Sequence, residues 1–120
     1  MRIYIAGPYT HPDPVENTHK AMKVADALVS LGHNPYIPHL TLMWHLVSPR
    51  PVDFWYAYDM AWLKLCEGVL RLSGESSGAD KEVAWAEANG IPVYHNIAAI
   101  PSPVGPLTDK QIDGVCEQCG

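Results

Sequence analysis

Apolar and polar positions in the first third of the chain predict one strand followed by one helix. Residues Arg2 to Ala6 form a β-branched and aromatic run ended by Gly7-Pro8, which is typical of a buried strand and a tight turn. Asp13 is expected to cap the helix, with Pro14 at its first position and Gly32 at its end. The apolar stripe of this helix is predicted to consist of Val15, Thr18, Met22, Ala25 and Val29.

Strand-like and helix-like segments continue to alternate along the chain. A short second strand is predicted in HNPYIPHL, a third in VLRLS and a fourth in IPVYH. The segment from Thr41 to Pro51 has no clean period, so we expect a loop over the domain. Asp53 is expected to cap a second helix that ends at Gly68, and GESSGADKEVAWAEANG predicts a turn and a third helix ending at Gly90. The second helix has a predicted stripe of Phe54, Tyr58, Ala61, Trp62 and Leu65.

This alternation of four short strands with helices predicts an α/β fold. We expect a three-layer domain of Rossmann or flavodoxin type, with a mainly parallel sheet of four to five strands and right-handed crossovers. Residues 1–100 would form this domain. Residues 101–120 would form a proline-rich linker and a short C-terminal tail of the same domain, in which Thr108 caps a last short helix.

Composition and charge narrow the classes of function. One domain fits 120 residues, and with 48% apolar residues it can form a core without metal or disulfide staples. The formal net charge is −5 and no run of Lys or Arg is present, which argues against binding a nucleic-acid polymer. No run of about 20 apolar residues occurs, so we expect a soluble, cytoplasmic protein that does not bind a membrane.

The three cysteines do not resemble a disulfide framework, because their number is odd and Cys66 lies in a predicted core helix. Cys116 and Cys119 form a C-x-x-C near the end of the sequence. A structural zinc site needs four ligands and no His pair has ligand spacing, so no metal and no cofactor are expected. A redox C-x-x-C usually follows a strand and opens a helix, which this one does not.

In an open α/β sheet, ligands bind beyond the carboxyl ends of the strands, in the loops that lead into helices. This rule selects the loop Gly7-Pro8-Tyr9-Thr10, the region around Pro38-His39 and the turn SGESSGAD. The serines and glycines of that turn would let backbone N–H groups approach an anion at a helix N-terminus, although simple capping uses the same residues.

Two carboxylates are predicted near these loops. Glu82 is expected in the first turn of the third helix, on one face with Gly78 and Trp85, where the positive helix end favours an ionised carboxylate. A glutamate there is also common for stability alone. Asp59 is expected in mid-helix among aromatic side chains, where a carboxylate has either a polar partner or a raised pKa. One nucleophilic and one protonatable carboxylate suit the oxocarbenium-like transition state of glycoside hydrolysis.

Three segments resemble the nucleoside 2-deoxyribosyltransferase superfamily, which also includes the nucleoside 5′-monophosphate N-glycosidases. They are RIYIAGPYT, YDMAWLKLCEGVLRL and SGESSGADKEVAWAEANGIPVY, and the resemblance runs from Arg2 to Tyr94. It depends on D-x-x-W-L followed by S-x-G-x-x-x-E, each on the expected element. It also implies a homodimer or higher homo-oligomer, in which a neighbouring subunit completes the site.

The resemblance implies roles for individual residues. Glu82 would be the nucleophile that attacks C1′ and forms a covalent deoxyribosyl intermediate, and Asp59 would manage the proton of the departing base. The Tyr4 hydroxyl would orient the nucleophile, although strand preference alone predicts that Tyr4 packs in the core. The substrate would contact Gly7, Pro8, Tyr9, His39, Ser76, Ser77 and Gly78.

Two parts of this expected site have alternative interpretations. His39 would line the base pocket, or else be a surface or packing histidine. The tryptophans are expected mostly in the core, although one of them could stack on the base; they are Trp44, Trp55, Trp62 and Trp85. The position of Ser76 tends to be Asp in the transferases and Ser, next to a phosphate, in the monophosphate N-glycosidases. Lys81 lies five residues from it in the sequence.

These observations give one leading hypothesis and two alternatives. The leading hypothesis is an enzyme that cleaves the N-glycosidic bond of 2′-deoxynucleosides and transfers deoxyribose to another nucleobase. The first alternative is a hydrolase that releases free base and deoxyribose 5-phosphate from a 2′-deoxynucleoside 5′-monophosphate. The second is a non-catalytic nucleotide-binding sensor domain of the same fold. The joint presence of Tyr4, Asp59 and Glu82 favours an enzyme, because a binding module does not need all three.

Overall fold

One parallel sheet is the centre of the computed structural model, which describes residues 1–101. Its strands are β1 (Arg2–Ala6), β2 (Asn34–Tyr36), β3 (Gly68–Arg71) and β4 (Val93–Tyr94), in the order β2-β1-β3-β4. The helices are α1 (Pro14–Ser30), α2 (Thr41–Val47), α3 (Val52–Leu63) and α4 (Ser77–Ala88). Short 3₁₀ turns lie at Pro38–Leu40 and Ile97–Ala99. The predicted α/β class and the parallel sheet are confirmed, with four strands in residues 1–101.

Alternate residues of β1 supply the centres of two cores, one on each face of the sheet. Ile3 and Ile5 pack with buried residues of α1, whereas Tyr4 and Ala6 pack with buried residues of α3 and α4. All four of these β1 side chains are fully buried. Because side chains alternate along a strand, the residue type at each position of β1 decides which face it serves. Tyr4 is therefore directed to the side of α3 and α4.

The strand order creates a crevice between β1 and β3. The chain leaves β1 towards β2 and leaves β3 towards β4, so the two connections run in opposite directions across the sheet. In folds of this kind, such a switch point opens a cleft at the carboxyl ends of the two strands. The loops that follow β1 and β3 therefore become the walls of a site.

Local signals at the ends of α1 are confirmed, but its predicted apolar stripe is wrong. The Asp13 side chain accepts the backbone N–H groups of Val15 and Glu16, and Gly32 has a positive φ of 90° just past the helix. The buried positions of the helix are Asn17, Ala21, Ala25 and Leu28. Asn17 sets this face, because its side-chain amide donates to the carbonyls of Tyr9 and His11, at 3.0 Å each. Of the predicted stripe, Val15, Met22 and Val29 are exposed.

The helix α2 replaces most of the loop predicted from Thr41 to Pro51, and a 3₁₀ turn at Pro38–Leu40 leads into it. The Thr41 hydroxyl donates to the Pro38 carbonyl at 2.9 Å, and Trp44 packs edge-on against Trp55 and Tyr58. Tertiary contacts of this kind stabilise a short helix whose sequence has no clear period.

Both predicted ends of the next helix are also wrong. Pro51, not Asp53, precedes α3, and the Asp53 side chain makes no capping bond. Gly68 lies in β3, where an added Cβ would stand 3.1 Å from Ile3 Cδ1 and 3.2 Å from Tyr94 Cε2. A close approach of neighbouring side chains, and not a helix end, explains this glycine.

The aromatic residues of α2 and α3 do not form the core that their hydrophobicity predicts. Met60 and Leu63 are the buried residues of α3, whereas Trp62 and Trp44 are 45% and 44% exposed. Trp55 and Trp85 are partly buried, and Cys66 lies beyond the end of α3 with intermediate exposure. The stripe predicted for α3 is therefore wrong, because Met60 and Leu63 form the buried face of this helix. Cys66 is not in a core helix, although it packs, partly buried, against the core around Tyr4.

Some predictions concern residues beyond the described part of the chain. The linker after Pro101, the helix cap at Thr108 and the C-x-x-C of Cys116 and Cys119 lie outside residues 1–101. Within residues 1–101, none of the helices has the length and apolar composition needed to cross a membrane.

Candidate active site

A cavity of about 740 Å³ opens where the loops after β1 and β3 diverge. One side is formed by the loop after β1 and by the turn that contains His39. The other sides are formed by α3 and by the N-terminal half of α4, from which Asp59 and Glu82 contribute their side chains. This is the place in the fold at which a switch point is expected to bind a ligand.

Glu82 is a buried carboxylate held by a tyrosine. The hydroxyl of Tyr4 donates a hydrogen bond to Oε2 of Glu82, and the two residues are 0% and 8% exposed. Burial raises the pKa of Glu82 to about 7, the Tyr4 hydrogen bond opposes this rise, and the charge of Asp59 adds to it. The expected first-turn position is wrong, because α4 begins at Ser77 and Glu82 is its sixth residue. Desolvation, and not the positive helix end, therefore dominates the ionisation of this carboxyl.

Asp59 has a tyrosine partner of its own. The hydroxyl of Tyr36 donates to Oδ1 of Asp59 at 3.0 Å, and burial raises the pKa of Asp59 to about 6. The Tyr36 ring lies between those of Tyr4 and Trp62, with centroids 5.5 and 5.7 Å away. A partner and a raised pKa were expected as alternatives for Asp59, and the structure has both. The two tyrosine–carboxylate pairs are neighbours through their rings.

The start of α4 forms an open, polar end of the cavity. Ser76 caps the helix, accepting the N–H of Ala79 at 3.1 Å, and Ser77 and Gly78 follow it along the cavity wall. A Cβ built on Gly78 would meet no atom within 4 Å. Lys81 lines the cavity as well. This end therefore offers backbone N–H groups, hydroxyls and one ammonium group to a ligand.

Residues of the first two loops support the opposite wall. Gly7 lies against Leu72, whose Cβ would be 3.0 Å from an added Cβ. The carbonyl of Pro8 bonds to Nε2 of His39 at 2.9 Å, and the Tyr9 ring meets the His39 ring edge-on. His39 is 3% exposed, and burial lowers its pKa. Gly7, Tyr9 and His39 line the cavity, whereas Pro8 contributes through its carbonyl to the position of His39.

Sequence reasoning missed the contribution of α2 and the start of α3. Lining residues from these two helices and the link between them were not predicted as site residues: Thr41, His45, Arg50, Val52, Asp53, Trp55 and Tyr56. Ionisable side chains between tryptophans, in a segment predicted as a covering loop, were the signal that could have found His45 and Arg50. Tyr36 was missed because its role as hydrogen-bond donor to Asp59, 23 residues away, is visible only in the structure.

No metal site accompanies these groups in the described part of the chain. Among residues 1–101, no three His, Cys, Asp or Glu side chains are grouped so that they could hold a metal ion.

Comparisons with known proteins place the fold and the family. Among solved structures, the chain is similar to a 2-deoxyribosyltransferase from the psychrotolerant bacterium Bacillus psychrosaccharolyticus, described as a biocatalyst for the synthesis of antiviral and antitumoral nucleosides. The TM-score is 0.57 at 20% identity, over 81% of this chain and 76% of that one, which shows a shared fold. No protein of curated function matches this sequence. A family profile matches residues 1–96, and the chain therefore belongs to the family described as a domain of unknown function, DUF7768.

Proposed function

We propose that this chain cleaves the N-glycosidic bond of 2′-deoxynucleosides through a covalent deoxyribosyl intermediate on Glu82 and transfers the sugar to another nucleobase. One observation carries the proposal: a buried carboxylate, Glu82, and a half-buried one, Asp59, each bonded by a tyrosine hydroxyl, line one cavity at the switch point of the sheet. The likeness in fold to a 2-deoxyribosyltransferase supports it. We assign the activity to residues 1–100 and regard residues 101–120 as a linker and tail of the same domain.

The proposed reaction has two displacements at C1′. In the first, an oxygen of ionised Glu82 forms a bond to C1′, and the electron pair of the C1′–N bond goes to the base nitrogen. Asp59 gives its proton to the departing base, which leaves neutral. In the second, a nitrogen of another base attacks C1′, the ester bond to Glu82 breaks, and Asp59 takes the proton released by the incoming base. Tyr4 holds Oε2, which leaves Oε1 of Glu82 for the attack.

The raised pKa values bring the ionisation of both carboxyl groups near neutrality. With pKa values of about 7 for Glu82 and about 6 for Asp59, the pair holds one proton over part of this range. The form that reacts carries its proton on Asp59 and its charge on Glu82; because the Glu82 pKa is the higher of the two, this is the less populated of the two singly protonated forms. In a low-dielectric cavity, the Glu82 carboxylate stabilises the positive charge that develops at the sugar in the transition state.

A second candidate reaction is hydrolysis of a 2′-deoxynucleoside 5′-monophosphate to free base and deoxyribose 5-phosphate. The start of α4 favours it, since Ser76, Ser77 and Lys81 lie at the cavity and no acid occupies position 76. A phosphate would be attracted there by the helix N-terminus and repelled by an aspartate. The two reactions differ in the 5′ group bound and in the acceptor of the sugar, and both use Glu82 and Asp59 in the same roles.

We also propose a homodimer or higher homo-oligomer. Apolar side chains of α2 and the residues around it are exposed, among them Met43 at 68%, Leu46 at 65% and Val47 at 81%. Contiguous exposed apolar surface next to a site is typical of subunit contacts. Light scattering of the full chain tests this, and a monomer at concentrations that give full activity would contradict it.

Product analysis tests the proposed activity. The protein is incubated with a deoxynucleoside or its 5′-monophosphate, with and without a second base. A new nucleoside indicates transfer, whereas free base with sugar or sugar phosphate indicates hydrolysis. Glu82→Ala should be inactive, and Glu87→Gln, an exposed glutamate of the same helix, should be as active as wild type. If wild type turns over none of these compounds, the sensor hypothesis replaces the enzyme.

A further inference from the structure

Two hydrogen-bond donors fix the proton position on the ring of His45, in α2. The indole Nε1 of Trp55 lies 2.8 Å from Nδ1 of His45, and the backbone N of Arg50 lies 3.3 Å from the same atom. An indole N–H and a backbone N–H can only donate. Nδ1 is therefore the unprotonated acceptor, and the hydrogen of the neutral ring is on Nε2.

The Nε2–H group of His45 has no hydrogen-bond acceptor among residues 1–101. Within residues 1–101 no group pairs with it, and it stays accessible, unlike the buried unpaired Nδ1 of His39. The His45 side chain lines the cavity. A free N–H donor of fixed tautomer is thus offered at the cavity wall, and donors of this kind gain most from a ligand that supplies an acceptor.

Neighbouring aromatic rings hold this donor in place. Trp55 packs edge-on against Phe54 at 5.0 Å, Trp44 at 5.1 Å and His45 at 5.9 Å between ring centroids. The Arg50 guanidinium lies 4.4 Å from the centre of the Phe54 ring. A side chain packed in this way loses little further freedom when it binds, which makes its hydrogen bond selective.

The place of His45 relative to Asp59 indicates which part of a substrate it meets. Trp55 precedes Asp59 by four residues on α3, which is about 6 Å along the helix. If Glu82 attacks C1′ in line with the bond that breaks, the base lies on the side of C1′ away from Glu82. Asp59 protonates that base, so the far edge of the base extends along α3 towards Trp55 and His45.

We propose that His45 Nε2–H reads the exocyclic group of the base, and that the site prefers an oxo group there over an amino group. This inference rests on the proposed function. The exocyclic group is the part of a base farthest from the glycosidic bond. Hypoxanthine differs from adenine, and uracil from cytosine, at this position, where oxygen accepts a hydrogen bond and an amino group donates one. An exocyclic amino group would place its own N–H donor against the Nε2–H donor of His45, and neither group would have an acceptor.

The test compares hypoxanthine with adenine in two measurements on the full chain. The first is kcat/KM for the corresponding deoxynucleosides or 5′-monophosphates, and the second is the Kd of each free base by calorimetry. Wild type should favour hypoxanthine by about tenfold or more in both, the factor expected for one hydrogen bond gained or lost at a site. His45→Phe keeps an aromatic ring without the donor and should bring both ratios to within about twofold.

Two further variants separate recognition from packing. Trp55→Phe keeps the ring contacts but removes the shorter of the two N–H contacts that fix the tautomer, so the hypoxanthine preference should fall through a gain in adenine binding. A packing role alone would weaken both bases equally. His19→Phe changes an exposed histidine of α1 and should leave the preference as in wild type.

Each outcome decides the proposal. Turnover with no preference for hypoxanthine, or a preference that survives His45→Phe, overturns the role of His45 and leaves the proposed activity standing. Absence of turnover, with a free-base preference that His45→Phe removes, overturns the activity and supports the donor. Absence of both turnover and base binding overturns both.

Discussion

Tyr4 and Glu82 form a hydrogen bond between β1 and α4, in a place that water scarcely reaches. Burial raises the pKa of Tyr4 above its ordinary value of 10.0, and the neighbouring charges of Glu82 and Asp59 raise it further. The hydroxyl is therefore a donor throughout the physiological range. It opposes the effect of burial on the Glu82 pKa and fixes one carboxylate oxygen. Tyr4 therefore has two roles: its ring packs in the core, and its hydroxyl affects the ionisation of Glu82.

Removing this hydroxyl should shift the pH dependence of the reaction. In Tyr4→Phe the pKa of Glu82 should rise above about 7, because a bond that lowers it is lost. The acid limb of the profile of kcat/KM should move to higher pH. Activity at neutral pH should fall about 10- to 100-fold, as expected for a hydrogen bond to a charged group. Tyr94→Phe, on the opposite core, should keep the wild-type profile. An unchanged acid limb in Tyr4→Phe would show that Tyr4 does not affect Glu82.

The same buried carboxylate should destabilise the fold at alkaline pH. The Glu82 pKa is about 7 in the folded protein against an ordinary value of 4.5. Between these values the folded state binds more protons than the unfolded state, so stability falls as pH rises through this window and then levels off.

Glu82→Gln should remove that dependence, since it keeps an acceptor for the Tyr4 hydroxyl without the charge. The variant should be up to about 3 kcal/mol more stable than wild type near pH 8, with a much smaller difference near pH 5. Thermal melts at both pH values measure this, and turnover should be lost. Glu87→Gln, at an exposed position of the same helix, provides the comparison. A wild type that is as stable as Glu82→Gln near pH 8 would contradict the burial effect.

Asp59→Asn should separate proton transfer from nucleophilic attack. We expect a bell-shaped wild-type profile whose two limbs belong to the coupled Asp59–Glu82 pair. In the variant, kcat should fall about 10²- to 10⁴-fold for an ordinary base, which must be protonated to leave. A deoxyriboside whose leaving group has a low pKa should be spared. The acid limb should also move to lower pH, because the charge of Asp59 raises the Glu82 pKa. Asp26→Asn, exposed on α1, is the control. Equal losses for both leaving groups would argue against an acid role.

Local chemistry in the sequence was enough to predict the strands, most helices and the edge of the sheet at which the cavity lies. Asp13 and Gly32 bond to their own neighbours in the chain, so their roles are visible in a short window. Strand alternation with helices then sets the edge of the sheet at which loops meet. This brings Asp59 and Glu82 to one cavity, although their distance in the sequence is large.

Tertiary contacts decided what the sequence could not predict. Asn17 turns α1 so that a different stripe is buried, and the Trp44 contacts form a helix where no period exists. Hydrophobicity does not distinguish a core from a cavity wall, so Trp55 was expected in the core although it lines the site. The hydrogen bond that Glu82 accepts in its buried position comes from Tyr4, which lies 78 residues away in the sequence.

Gly78→Ala should stabilise the protein and weaken its substrate binding. Gly78 is the second residue of α4, has no positive φ and faces open space in the cavity, so an alanine fits the backbone. Replacing a helical glycine in this way adds about 0.4–1 kcal/mol of stability, chiefly by restricting the unfolded chain.

The added methyl group would occupy space that a ligand needs to approach the N–H groups at the start of α4. We expect KM to rise about tenfold while kcat changes little, because Glu82 and Asp59 keep their places. A larger effect on a 5′-monophosphate than on the nucleoside would indicate that phosphate binds here. Ala84→Gly changes an exposed position of the same helix and is the control. It should lower the melting temperature and leave kcat/KM unchanged. If Gly78→Ala is stabilised and binds both substrates as wild type does, the sugar end of the substrate lies elsewhere.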